Sequence, residues 1–158
     1  MQNHKDYLII PIYTWMKLVY NLKKSGKGVR ESGAFLLGKR GSSKISSFIL
    51  YESLDPHCLE KGYIYFLGES YIPLWEYCLK NKMQVLADVH THPTKSVFQS
   101  SYDQENPMIS QKGHIAMIIP DFAKVKFKIL KGIGIYKYLG NHNWEDITKF
   151  RKVKISVL

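Results

Sequence analysis

An apolar stretch from Gln84 to Val89 runs directly into His90-Thr91-His92-Pro93, and a short loop later the chain reads Ser100-Ser101-Tyr102-Asp103. A strand end holds its backbone rigidly while the loop beyond it opens to solvent. A chain that sets two imidazoles at such an end, and a carboxylate just past it, must build the rest of its fold around that point. Two imidazoles and a carboxylate are ligands of the kind zinc takes. Three protein ligands leave the fourth tetrahedral position to water, the mark of a catalytic rather than a structural site. Ser100 stands just ahead of the acid, where it could donate a hydrogen bond to a developing oxyanion. It also suits a helix cap over Ser101-Tyr102-Asp103.

The elements around this point are of both kinds. Tyr7 to Ile12 reads as a short apolar strand or entry segment. Thr14 to Lys24 places Trp15, Leu18, Val19 and Leu22 at helical spacing with lysines opposite, and Ser25-Gly26-Lys27-Gly28 stops that helix. Gly33 to Lys39 is a buried strand, and a turn at Arg40-Gly41-Ser42-Ser43 leads to a second strand over Lys44 to Glu52. Tyr63, Tyr65 and Leu67 alternate with Ile64 and Phe66. Glu69 to Lys82 carries Ile72, Trp75, Leu79 and Met83 at helical spacing, which predicts an amphipathic helix packed on a sheet through those residues. Further strands are expected at His114 to Pro120, Val125 to Leu130, Gly132 to Leu139 and Lys152 to Val157, with a turn at Asn141 to Trp144. Two helices among six or more strands, not in strict alternation, give an α+β sandwich.

With 158 residues, 45% of them hydrophobic, the chain has room for one domain with a real core, spanning residues 1–158. No apolar run approaches the roughly 18–20 residues needed to span a bilayer. The start lacks the apolar core of a secretory signal, so a cytoplasmic protein without membrane contact is expected. Cys58 and Cys78 stand in no CxxC arrangement and read as unpaired thiols. The net charge of +10 is spread over scattered lysines, densest at Lys23 to Arg30 and Lys124 to Lys131. Neither stretch forms a recognisable nucleic-acid motif, and nucleic acid is not expected as a partner.

A hydrolase built on this centre also needs a general base. Glu31 stands out, just before Ser32-Gly33-Ala34-Phe35-Leu36-Leu37-Gly38, where small residues let another backbone approach. Glu52 and Glu69 are the other acids that could approach a metal. His57, His114 and His142 read as satisfied or exposed histidines. Trp15, Trp75 and Trp144 read as packing aromatics.

Taken together, Glu31 followed by the G-x-x-L-L-G strand, and then H-T-H-P-x6-S-x-x-D, resembles the JAB/MPN domain with its JAMM metalloprotease motif. The stretch from Asp103 to Ala123 looks like the continuation seen in bacterial stand-alone members, and Trp144 fits their short tail. The resemblance covers most of the chain, from about Glu31 to Trp144. Ala34 departs from it, since many relatives have a second glycine there.

The resemblance implies an MPN/JAB-like (cytidine-deaminase-like) α+β fold with a curved central sheet flanked by helices. It implies one Zn2+ per chain held by His90, His92 and Asp103. Glu31 would act as the base that passes a water proton to the leaving amine, and Ser100 would support the oxyanion. The implied activity is hydrolysis of an isopeptide or peptide bond at the C-terminus of a ubiquitin-like protein or its conjugate with a target. Similar bacterial proteins accompany activating-like and conjugating-like enzymes, often in anti-phage defence operons. Two other roles fit a JAB-type chain: a processing protease that matures a sulfur-carrier or ubiquitin-like protein, and a non-catalytic DNA-associated scaffold. The Thr94 to Gln99 loop sits where a lid could gate the cleft.

Overall fold

Gly33–Lys39 is apolar at nearly every position rather than at alternate ones, and a strand of that kind needs cover on both faces. The computed structural model, which describes residues 7–124 and 130–157, supplies it. In chain order the elements are β1 (Leu8–Pro11), α1 (Ile12–Gly26), β2 (Gly33–Lys39), β3 (Ser47–Leu50), α2 (Tyr51–Leu54) and α3 (Tyr71–Asn81). There follow β4 (Met83–Thr91), α4 (Ser101–Glu105), β5 (Ile115–Ile119), β6 (Gly134–Gly140), β7 (Asn143–Asp146) and β8 (Val153–Ser156). Six strands form one mixed sheet in the order β3-β2-β4-β5-β6-β7, and β1 pairs with β8 in a small parallel sheet of its own. The expected α+β class, a central sheet flanked by helices, is what the chain adopts.

Each face of the sheet has its own apolar cluster. Ala34 and Leu36 of β2 join Trp15, Leu18, Val19 and Leu22 of α1. Phe35 and Leu37 point the other way, to Tyr51 of α2 and to Leu74 and Cys78 of α3. All four α1 residues named from spacing are fully buried. Full burial of side chains this size stabilises by about 1.5–3 kcal/mol each, so α1 is held by packing; its N-terminus has no side-chain cap.

Within β4 the face changes hands. Against β2, Leu36 pairs with Ala87 but Leu37 pairs with Val85, so one residue is extra on β4. Such a bulge resets which residues face which way. Val85 belongs to the α3 side and Ala87 to the α1 side, and beyond the bulge Asp88 lies across from Phe35 and His90 across from Gly33. Asp88 and His90 therefore share the α3 side of the sheet. On its other edge β4 pairs in parallel with β5. Parallel neighbours need a long crossover, and the chain between Thr91 and Ile115 is that crossover.

Several elements differ from the sequence expectation. The α3 helix buries Leu74 and Cys78, whereas Ile72, Trp75 and Leu79 are 57%, 47% and 70% exposed, so the packed face is not the expected one. Seven of its first nine residues are apolar or aromatic, and two stripes at helical spacing run along it. The stripe that meets Phe35 and Tyr51 wins. The strand expected over Lys44 to Glu52 shortens to Ser47–Leu50, because Tyr51–Leu54 turns into a helix. The residues from Tyr63 to Leu67 keep their alternation, with Ile64 buried and Tyr63 exposed, without pairing as a strand. The turn after β6 is confined to Asn141 and His142, and Asn143 already begins β7. Of the strand expected at Val125 to Leu130, all but Leu130 lies outside the described residues.

Gly33 is the tightest point of the packing. A Cβ there would come within 2.3 Å of the Tyr51 ring and 2.8 Å of the Val89 carbonyl oxygen. Overpacking of this kind costs about 1–3 kcal/mol. Gly33→Ala should lower the melting temperature by several degrees, whereas Gly68→Ala, with open space around it, should not; thermal unfolding of both variants checks this.

Candidate metal centre

Period-two geometry places Asp88, His90 and His92 on one side of the chain as β4 ends. His90 and His92 are both buried. Their Nε2 atoms stand 3.1 Å apart. Asp103, brought back by the crossover, sets Oδ2 3.2 Å from His92 Nε2 and Oδ1 3.4 Å from His90 Nε2. Zinc bonds of about 2.0–2.1 Å in a tetrahedron leave neighbouring ligand atoms roughly 3.3 Å apart. The observed separations are close to that spacing, with the two Asp103 contacts made by its two different carboxylate oxygens. Among the described residues, this is the one cluster of three histidine, cysteine or acidic side chains with metal-ligand spacing.

The surroundings of each ligand fix its orientation. His92 Nδ1 hydrogen-bonds the Ser96 carbonyl oxygen at 3.1 Å, which leaves the Nε2 lone pair for a metal. Asp103 is the third residue of α4, and Ser100 caps that helix. The Asp103 N–H donates to Ser100 Oγ at 3.0 Å, and the Ser100 N–H donates to Asp103 Oδ2 at 2.8 Å. This reciprocal cap both starts the helix and aims the carboxylate. Burial alone would raise the Asp103 carboxyl, but hydrogen bonds with His90 and His92 and from the Ser100 N–H hold it far below the usual carboxylate range. Burial pulls the other way on His90, whose imidazolium is nevertheless raised by the hydrogen bond and charge of Asp103 and by the charges of Glu31 and Asp88.

Glu31 lies beside this group, its backbone N–H donating to the Gly62 carbonyl at 2.9 Å. It lines the same cavity as His90, Asp103, Tyr102 and Trp144, a cleft of about 40 Å³ that is partly open to solvent. Burial raises its pKa, against the opposing pull of His90 and His92. Of the other acids considered, Glu52 is tied to Arg30 at 2.6 Å and to Ser25 at 3.1 Å. Glu69 sits on an exposed turn ahead of α3. Trp144 is a wall of the cavity, and its indole N–H donates to the Gln104 carbonyl just after Asp103.

Two residues of this region escape sequence reasoning. Asp88 is buried and pairs with His114, Oδ2 to Nε2 at 2.7 Å, beneath the cavity that Asp88 lines. Tyr51, fully buried, lines the same cavity in the field of Asp88, and burial with that charge raises its hydroxyl well above the ordinary phenol value. The signal for Asp88 was present: an acid two places before His90 must share its face of the strand. No local signal points to Tyr51. Both cysteines are buried and unpaired, and burial pushes the Cys58 thiol up to about 12, which makes it inert.

The loop after His92 is fastened. Its carbonyls accept hydrogen bonds from the Asp121 N–H at Thr94 (2.9 Å) and from the Tyr136 hydroxyl at Val97 (2.7 Å), besides the His92 contact at Ser96.

No family model matches the chain. Among solved structures, protein DSY2949 from Desulfitobacterium hafniense is similar at a TM-score of 0.64, with 12% identity over 94% of this chain and 92% of that one. AF2198 from Archaeoglobus fulgidus, a JAB1/MPN domain protein, is similar at a TM-score of 0.50, with 15% identity over 95% of this chain and 97% of that one. The fold is the JAB1/MPN fold. Within it, the candidate centre lies where the central strand β4 meets the crossover, and its three ligand atoms come from the two ends of one loop.

The charges set a pH dependence for the metal-free protein. His90 titrates above its ordinary 6.5 when folded, so its stabilisation is complete below that value and lost as the pH climbs past the raised one. Asp103 titrates below its ordinary 3.8, so its stabilisation is present above that value and lost as the pH falls. Metal-free protein should therefore melt highest between about pH 4 and 6.5 and lower at pH 8. Zinc competes with protons for the imidazoles, and adding it should make pH 8 the more stable condition. Thermal melts across this range, with and without zinc, test both statements.

Proposed function

We propose that the chain is a zinc-dependent peptidase or isopeptidase that cleaves at the C-terminus of a ubiquitin-like protein or its conjugate. The observation that carries the reading is the convergence of the His90, His92 and Asp103 side chains, in contact at 3.1–3.4 Å, beside the half-buried Glu31. The residues fit the ion: two imidazoles and one strongly acidic carboxylate, with one ring tautomer held by Ser96.

A zinc ion bound there supplies a Lewis acid that polarises a carbonyl and acidifies water to a pKa of about 7. The rest is work for the chain's own side chains. Glu31, whose carboxyl is raised by burial, takes the proton of the attacking water as the water oxygen bonds to the carbonyl carbon. It then delivers that proton to the amine nitrogen as the carbon–nitrogen bond breaks. Ser100 Oγ accepts from the Asp103 N–H, which leaves its own O–H free to donate to the developing oxyanion. The partner in this reading is a ubiquitin-like tail, with activating-like and conjugating-like enzymes as its source and anti-phage defence as the setting. No helix among the described residues is long and apolar enough to cross a membrane.

Metal content decides the first half of the reading. Purified protein should hold about one zinc per chain after dialysis, and Asp103→Ala should hold almost none. Well-folded wild type that stays free of zinc after add-back sinks the proposal. Cleavage decides the second half: Glu31→Gln should keep its zinc and lose about 10²–10⁴-fold in rate on a ubiquitin-like conjugate. Unchanged cleavage in that variant would remove Glu31 from the mechanism.

A further inference from the structure

The metal ligands come from two places, the end of β4 and the first turn of α4, and the segment between them determines whether they meet. The capping box and the His92–Ser96 contact lie within the His90–Asp103 stretch itself. The tie at Val97 comes from elsewhere. Tyr136, buried on β6, donates its hydroxyl proton to the Val97 carbonyl at 2.7 Å. Two residues earlier on the same face of β6, Gly134 leaves room for the loop: a Cβ there would stand 2.7 Å from the Val97 carbonyl oxygen and 3.1 Å from its Cβ. Three residues after Val97 is Ser100, whose N–H holds Asp103 Oδ2.

We propose that Tyr136 is a positioning residue of the metal centre, holding Val97 so that Ser100, three residues on, presents Asp103 to the two histidines. The inference rests on the zinc reading above and extends it to a strand that contributes no ligand. A loop free to wander would have to be ordered when the metal binds, at a cost in affinity. A loop already tied down at Val97 does not. Groups that orient ligands in this way typically change metal affinity by 10–100-fold when removed.

Tyr136→Phe keeps the ring and deletes the tie. Zinc affinity is measured by competition with a chromophoric chelator, and site geometry by the visible absorption of the Co2+-loaded protein. Tyr138→Phe serves as the matched control, because its hydroxyl accepts from the His142 N–H at the β6–β7 turn, away from the loop. The expected result is a weakening of zinc binding in Tyr136→Phe by about 10-fold or more, with altered cobalt bands. Tyr138→Phe should match wild type in both. Gly134→Ala, which presses a methyl group onto Val97, should weaken binding too and keeps the test decisive if Tyr136→Phe folds poorly. Wild-type affinity and an unchanged cobalt spectrum in Tyr136→Phe would overturn the proposal while leaving the zinc reading in place. Wild type that takes up neither metal would overturn both.

Discussion

Parallel pairing of β4 with β5 is the constraint on which the rest of this molecule depends. Antiparallel neighbours are joined by a tight turn, but a parallel neighbour obliges the chain to leave the sheet, travel its length and re-enter from the other end. Here the chain leaves at His92 and re-enters at Ile115. Much of the candidate centre beyond the two histidines and Glu31 rides on that excursion. Asp103 is on it, Ser100 is on it, and the backbone that Tyr136 holds is on it. The central strand supplies rigidity, and the crossover supplies Asp103 and its cap.

Charge is concentrated where the sheet is best covered. Asp88, His90, His92 and His114 are all buried, and buried ionisable groups are expensive unless paired. Each has a partner: Asp88 with His114, and the two histidines with Asp103. Removing one partner strands another charge, so this part of the fold is stable only as a set. A bound cation would relieve the close approach of two imidazole nitrogens at 3.1 Å and give Asp103 a stronger counter-charge than a proton on His90. The electrostatics of the candidate centre therefore suit a cation.

Much of the centre was legible because its information is local. Within the H-x-H pair, and within the serine cap and the acid three residues after it, the residues are linked by a few backbone bonds and spacing nearly determines the local geometry. The same holds for α1, whose single apolar stripe faces the core as its period demands. Reading failed where two local patterns were equally good. On α3 the Ile72–Trp75–Leu79 stripe has helical spacing, and so does the Tyr71–Leu74–Cys78 stripe. Only the ring of Phe35, which meets Tyr71 at 5.8 Å between centroids, makes the second one the buried face. At Tyr51 the chain continues as a helix where the apolar run suggested more strand, because its ring fills the space above Gly33.

By itself the sequence determined the α+β class, the strand that ends at His90, the helical cap at Ser100 and the three side chains that converge. All of these follow from periodicity and from residues near one another in the chain. Tertiary structure alone decided the bulge opposite Leu36 and Leu37, which turns Asp88 and His90 toward the α3 side. It also decided the pairing of Asp88 with His114, the seat of Glu31 in the cavity, and the hold of Tyr136 on the loop. Those arrangements join residues far apart in the chain, and a one-residue slip in strand register would send each of them to the opposite face. Register is set by how the whole sheet packs, and no short stretch of sequence carries it.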